Sequence, residues 1–390
     1  MRSRQGTLVG ICVALAVGPL LVLVPPAQAQ ATDAVTLQAD RALIPYGSSV
    51  QVTGTVSPPS GGESVQIQDQ TPAVLTTATT APDGSFSATL QLQASSTLQA
   101  SWNGVVSDPV SVRVRAKVSV RLRNVRLFDR AVARGSVDPA PSGTTVHLTL
   151  LLWGRIVARR EVTVSSSGAY RARFPISDPG TYRVRAASRP SGLARGTGTA
   201  GPVSTPLPSL KVGSRGSFVR ALERRLVALH YHLIGVDTTY DARTADAVMA
   251  FRKVQGMPRT GTVDAAVWRR LADPRIPKPR FTAKAFHIEV DQTRQVLYTV
   301  RGGEVTNVIH VSTGANGATH DGSFRVHRKL AGFSPNGLYY PSYFDGLRAI
   351  HGWTEVPSYP ASHGCVRVPY WDARWIFRLA VLGTRVFVYH

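Results

Sequence analysis

Cysteine is nearly absent from this chain of 390 residues; Cys12 and Cys365 are the only two. Cys12 falls in an N-terminal apolar stretch with the marks of a cleaved leader, so Cys365 is expected to be the single thiol of the mature protein. A disulfide framework is thereby excluded, and so is a redox sensor, which needs a resolving cysteine. No C-x-x-C pair and no H-E-x-x-H run occurs, so no metal or other cofactor is expected. Acidic residues are scarce as well: 23 Asp and Glu stand against 45 Lys and Arg, for a formal net charge of +22. Such an excess favours anionic polymers. Nucleic acid, the usual partner of a basic chain, is not expected, because no nucleic-acid-binding motif is present. Beyond the N-terminus no run is apolar enough to span a bilayer.

Residues 1–29 carry Arg2 and Arg4, an apolar run from Leu8 to Val24 interrupted by Pro19, and a small-x-small site at Ala27-Gln28-Ala29. This is the pattern of a secretory signal peptide. Retention of the run as an anchor is the alternative, and it is the only route by which the membrane becomes a partner. Ile11 stands before Cys12 where a lipid-modified cysteine would need a small residue. The chain is therefore read as exported, to the periplasm or the extracellular side.

The length exceeds what one core accommodates, and composition divides the remainder. Residues 30–204 are rich in Thr, Val, Ser and Gly, with short alternating runs between turn residues. Gly54, Val56, Pro58, Gly62 and Val65 recur as Gly135, Val137, Pro139, Gly143 and Val146, and Asp83-Gly84-Ser85-Phe86 recurs as Ser167-Gly168-Ala169-Tyr170. Two tandem β-sandwiches of immunoglobulin-like type are expected, over 30–115 and 116–204, as spacers or binders. Helical periodicity follows over 207–273. Phe218, Leu222, Leu226 and Leu229 share one face; Asp241 caps a helix with Thr244, Val248 and Phe251; Asp264 caps a third with Val267, Trp268 and Leu271. A Pro-rich basic linker over 274–281 reads as an extended spacer. Alternation returns over 282–390, with a hairpin turn at Gly302-Gly303 and one helix near Trp371 to Leu382 carrying Trp371, Trp375 and Leu379 on one face. The whole is a mainly β multidomain chain with one small three-helix bundle.

The chemistry concentrates around Cys365. A neutral thiol needs a base to become a nucleophile, and His351 and His363 both stand near it in sequence. Gly352 and Gly364 leave room for backbone amides to approach a developing oxyanion. A plain buried cysteine and a two-His, one-Cys metal site are the competing readings. His310 and His327 lie in alternating runs and read as surface or hydrogen-bonded strand residues.

Ile350-His351-Gly352 followed by Ser362-His363-Gly364-Cys365-Val366-Arg367 resembles the signature of the L,D-transpeptidase (YkuD) catalytic domain. Ile288-Glu289-Val290-Asp291, Gln295-Val296-Leu297-Tyr298, Val311-Ser312-Thr313-Gly314 and Gly383-Thr384-Arg385-Val386 support it. Thr319-His320-Asp321-Gly322 departs from the family's usual Thr-Pro-Thr-Gly-like turn, although the final Gly remains. The bundle, through Val212-Gly213, Gly216, Leu222, Leu226, Gly256-Met257, Gly261 and Trp268, resembles the peptidoglycan-binding type 1 domain. The resemblance implies a mainly β catalytic domain that forms 3→3 peptidoglycan cross-links through a thioester on Cys365. It makes His351 the general base with the Gly352 carbonyl orienting its ring, although the residues alone leave the choice between His351 and His363 open. His363 and Gly364 would organise the loop and the oxyanion region. Tyr339, Tyr340, Tyr343, Ser362 and Arg367 would bind substrate. Peptidoglycan is the implied partner. Hydrolysis of stem peptides with the same Cys and His, and a non-catalytic wall-binding role, are the alternatives.

Overall fold

The computed structural model describes residues 32–390; the leader expected over 1–29 lies outside them. Among the described residues no helix is long and apolar enough to cross a membrane. The chain is mainly β, as expected.

The first β domain has strands β1 (Gln38–Ala39), β2 (Ser49–Ser57), β3 (Ser64–Asp69), β4 (Val74–Thr79), β5 (Ser85–Gln91) and β6 (Ser96–Trp102). In one sheet β2 lies between β1 and β5; in the other β3 lies between β4 and β6, all antiparallel. Alternate side chains point to one face of a strand, and here that face is apolar: Val50, Val52, Val65, Ile67, Leu98 and Ala100 are fully buried.

The second β domain repeats this plan with β7 (Arg121–Arg123), β8 (Arg130–Asp138), β9 (Thr145–Leu152), β10 (Arg155–Thr163), β11 (Ala169–Pro175), β12 (Thr181–Ser188) and β13 (Gly196–Ser204). Strand β8 lies between β7 and β11, and the second sheet runs β10-β9-β12-β13. The repeated glycine has a steric cause in both copies. A Cβ on Gly54 would lie 2.4 Å from the Phe86 ring, and one on Gly135 would lie 2.5 Å from the Tyr170 hydroxyl. Each copy thus seats an aromatic of its β5 or β11 strand over a glycine.

The bundle comprises α1 (Ser217–Ala228), α2 (Ala242–Gln255) and α3 (Ala265–Ala272). Both expected caps form: Asp241 accepts from the Thr244 amide at 3.1 Å, and Asp264 from the Val267 amide at 2.9 Å. Leu222, Leu226, Val248, Phe251, Val267 and Trp268 fill the interior.

The C-terminal domain has two sheets. The first contains β14 (His287–Asp291), β15 (Val296–Arg301), β16 (Glu304–His310), β17 (Gly322–Arg325) and β22 (Arg385–Tyr389), in the order β16-β15-β14-β22-β17. The second contains β18 (Arg328–Lys329), β19 (Tyr339–Asp345), β20 (Arg348–Trp353) and β21 (Val366–Pro369), in that order, and α4 (Tyr370–Leu379) follows. Ile288, Val290, Leu297, Phe344, Ile350, Val366, Val368 and Ile376 form the core between them. Helix α4 differs from expectation. Its buried residues are Asp372, Ala373 and Ile376, whereas Trp371, Trp375 and Leu379 are half-buried, and it ends at Leu379. The cause is a polar residue turned inward: Asp372 is bound by His232 Nδ1 at 2.7 Å, and the His232 ring stacks on Trp375 at 3.9 Å.

The linker does not act as the spacer the sequence suggests. Val296, Tyr298, Val300, Val305 and Val308 of the first sheet share a core with the bundle, which therefore packs directly on the C-terminal domain. Residues 274–281 are tied along the joint. Gln255 exchanges hydrogen bonds with the Arg275 backbone, and Glu289 accepts from the Arg280 and Phe281 amides. Proline stiffness matters less here than the apolar sheet face, which demands a cover. At the centre of the joint Lys253 Nζ donates to the Gln295 and Val311 carbonyls at 2.8 and 2.9 Å and to His310 Nδ1 at 2.6 Å. His310 is thus a buried, fully partnered strand residue.

Candidate active site

Strands β20 and β21 run parallel, with Ile350 beside Val366, His351 beside Arg367 and Gly352 beside Val368. Alternation sends Ile350, Val366 and Val368 into the core and His351 and Arg367 to the opposite face. Cys365 immediately precedes β21. Its Sγ lies 3.9 Å from the Leu347 carbonyl and also meets the Ala349 amide, at the start of the strand that carries His351.

His351 is buried, and its Nδ1 lies 2.9 Å from the Gly352 carbonyl. A carbonyl only accepts, so Nδ1 carries the proton and Nε2 keeps its lone pair. Burial lowers the imidazole pKa to about 4; the Gly352 hydrogen bond opposes this, and the Arg367 charge adds to it. Burial likewise pushes the Cys365 thiol up, against the Ala349 amide and the charges of Arg348 and Arg367. The resting pair is therefore a neutral thiol and a neutral imidazole.

The loop that carries Cys365 is held by hydroxyls. Ser362 Oγ donates to the Cys365 carbonyl at 2.6 Å and accepts from the Gly364 amide at 3.0 Å. Ser362 is buried and spent on this turn, so the substrate contact expected of it is replaced by a structural one. Thr319 Oγ1 donates to the Gly364 carbonyl at 2.9 Å and accepts from the Gly314 amide at 2.7 Å. The unusual Thr319–Gly322 segment thus keeps its grip on the loop. Gly364 has φ +132, and a Cβ there would lie 2.8 Å from the Ala318 carbonyl oxygen. Its amide is occupied by Ser362, which removes it as an oxyanion donor; the amides of His363 and Cys365 carry no hydrogen bond among the described residues. The His363 side chain is exposed, so loop support falls to Ser362 and Thr319.

The aromatic segment divides. Tyr343 is buried, its ring capped by Arg328 at 3.9 Å, and so forms wall. Tyr339 and Tyr340 are half-buried and pack on each other at 4.8 Å. Gly352 is needed where Tyr339 and α4 close in, since a Cβ would lie 2.7 Å from that of Ala373 and 3.0 Å from the Tyr339 ring. Arg367 has no carboxylate partner among the described residues; its guanidinium lies 5.4 Å from the Trp353 ring centre, and Trp353 meets His351 edge-on at 5.6 Å. Trp353 and Arg348 escaped the sequence reading. Arg348 donates to the Ala318 carbonyl at 2.7 Å and pairs with Asp345, bracing the loop from the other side. The joint also reaches this region: Arg259 of the bundle donates to the Ser358 carbonyl at 2.8 Å, and His310 Nε2 to that of Val356 at 2.7 Å.

The class of protein is set by comparison with known families, and it is a transpeptidase. Residues 285–388 match the model of the YkuD L,D-transpeptidase catalytic domain, and residues 215–271 match that of a peptidoglycan binding domain. The chain belongs to the L,D-transpeptidase family of YkuD type. It is 33% identical to an L,D-transpeptidase from Xylanimonas cellulosilytica, over 48% of this chain and 100% of that one, with a TM-score of 0.45. It is 26% identical to an L,D-transpeptidase from Stackebrandtia nassauensis, over 48% and 98%, with a TM-score of 0.31. The E. faecium L,D-transpeptidase catalytic domain is 24% identical over 28% and 100%, with a TM-score of 0.24. Comparison with curated proteins found no match. Both matched domains point to peptidoglycan as the partner and to the cell wall or periplasm as the site of action.

Proposed function

We propose that the protein is exported by its leader and forms 3→3 peptidoglycan cross-links through a thioester on Cys365. The observation that carries this reading is the locked tautomer of His351, whose free Nε2 faces the same side of the β20–β21 pair as Arg367, with the chain's one described thiol at the head of β21. Sγ attacks the carbonyl joining the third residue of a tetrapeptide stem to D-Ala while His351 takes the thiol proton. The C–S bond forms, the C–N bond breaks, and the proton passes to the departing D-Ala amine. The side-chain amine of a second stem then attacks the thioester, His351 accepts its proton, and the thiol is restored. Amides of His363 and Cys365 steady the oxyanion in both steps. Arg367, free of acidic partners and flanked by Trp353, suits a substrate carboxylate, and Tyr339 and Tyr340 line the approach of the donor peptide.

Transfer must outrun hydrolysis, which requires the acceptor amine to lie close to a shielded thioester. Given tetrapeptide donors and a stem-amine acceptor, the enzyme is expected to yield cross-linked dimers in excess of free tripeptide. The ratio should rise with acceptor concentration and with pH as the amine deprotonates. Tripeptide prevailing at saturating acceptor would replace this reading with an L,D-carboxypeptidase.

A further inference from the structure

The second β domain carries a feature that its twin lacks. On the open face of the β7-β8-β11 sheet, Arg121 lies directly opposite Arg134, and Arg134 opposite Arg171. The next row holds Arg123, Val132 and Arg173, and Arg130 lies beyond it opposite Pro175. All six arginines are exposed, and no guanidinium of theirs is ion-paired among the described residues; the nearest acid, Asp129, accepts from the Arg130 amide at 2.6 Å. The acid on the same strand, Asp138, lies at its far end opposite Lys117. Neighbouring strands stand about 4.8 Å apart, and alternate residues along one about 6.8 Å. Like charges directly opposite on a sheet destabilise it. The strain registers on Arg171, whose pKa is lowered, first by Arg134 and also by Arg173.

The fold does not require this arrangement. The same row in the first β domain is Gln38, Thr53 and Ser87, paired in the same way and neutral, while Asp40 in the row beside it is paired with Arg41. A row that one copy builds from neutral side chains and the other from three stacked guanidinium groups calls for an anion. Its lining also narrows the choice. The groove is formed by Ser119, Arg121, Arg123, Asn124, Val132, Arg134, Gly135 and Arg171, with no aromatic side chain. Sugar rings and nucleobases bind on aromatic platforms, and phosphodiesters do not need them.

We infer that this arginine face is a docking surface for a linear polyol-phosphate polymer of the cell wall, whose phosphates lie along the arginine rows. It is separate from the catalytic chemistry and would hold the enzyme at the wall independently of the helical bundle.

The test uses the full chain and a purified glycerol-phosphate polymer as probe, with a uronic-acid polymer, single-stranded DNA and phosphatidylglycerol vesicles as comparisons. The wild type should bind the glycerol-phosphate polymer most tightly, with affinity falling steeply between about 50 and 200 mM salt. The double variant Arg134→Gln/Arg171→Gln should lose about tenfold or more in affinity and about two units of log–log salt slope. Its melting temperature should hold or rise, because the opposed charges are gone, and its transfer activity on soluble stem peptides should not change. Undiminished binding by the variant would overturn the assignment. So would a fall in melting temperature, which would make the arginines structural. Preference for the uronate, the DNA or the vesicles would replace the occupant with that class.

Discussion

Replacing Ser362 by alanine removes one hydroxyl and two hydrogen bonds, those to the Cys365 carbonyl and from the Gly364 amide. Each buried polar group left unpaired costs about 1–3 kcal/mol. Cys365 is partly accessible, so water recovers its carbonyl in part, and the net loss should be nearer about 2 kcal/mol than the sum of two full penalties. That loss is local. The loop stays pinned by Thr319 on Gly364 and by the Ala361 and Ser362 amides on the Thr313 carbonyl, so the fold should survive. What changes is the placement of Sγ, and if the productive arrangement loses about 2 kcal/mol, the acylation rate falls about 30-fold. Single-turnover acylation by a tetrapeptide donor, read by intact-protein mass, measures this directly. Melting should drop by only a few degrees. An unchanged acylation rate in a folded Ser362→Ala variant would refute the claim that this hydroxyl sets the nucleophile.

Other expectations follow from the same geometry. His351 is a base only while neutral, and burial lowers its pKa to about 4, so acylation should persist well below pH 6.5 and fall off near pH 4; an acid limb near 6.5 would contradict its burial. The same shift bears on stability: full above about pH 6.5, the His351 contribution should be lost as pH falls toward 4, by about 3 kcal/mol, so urea midpoints should fall less steeply with pH in His351→Ala, the remaining slope coming from buried His310. Gly364→Ala should abolish acylation in a folded protein, since its backbone lies at φ +132 and its Cβ would meet the Ala318 carbonyl. Lys253→Met strands two carbonyls and His310, so it should destabilise the joint by about 2 kcal/mol or more and raise amide exchange in β16 and the Val356–Ser358 loop. Deleting the bundle should expose Val296, Val300 and Val308 and lower the solubility of the remainder, as well as reduce binding to sacculi.

Much of this was legible in the chain because it is local. Asp241 and Asp264 announce helix starts three residues ahead of the amides they accept from, and the apolar period of α1 survives in the structure. The Gly54 and Gly135 repeat predicts two β domains because one packing problem recurs. Residues governed by a distant partner are not legible in the chain. The face of α4 is set by Asp372, which His232 reaches from 140 positions away. Ser362 sits in the signature motif and so invites a substrate role, yet its neighbours in space take both sides of its hydroxyl. Lys253 draws no notice in the sequence, because nothing nearby in the chain reports the carbonyls of Gln295 and Val311. The linker composition describes chain stiffness and says nothing of the apolar sheet face that draws the bundle in.

The central claim is that Cys365 is the nucleophile and His351 its base. Its most direct test is intact-protein and peptide-level mass spectrometry after brief exposure to a tetrapeptide donor without acceptor. The account predicts a single adduct of the donor acyl group, with D-Ala lost, mapped to the peptide bearing Cys365. It should be absent in Cys365→Ala and slow to form in His351→Ala. An adduct on any other residue, or continued turnover of stem peptides by a folded Cys365→Ala variant, would contradict it.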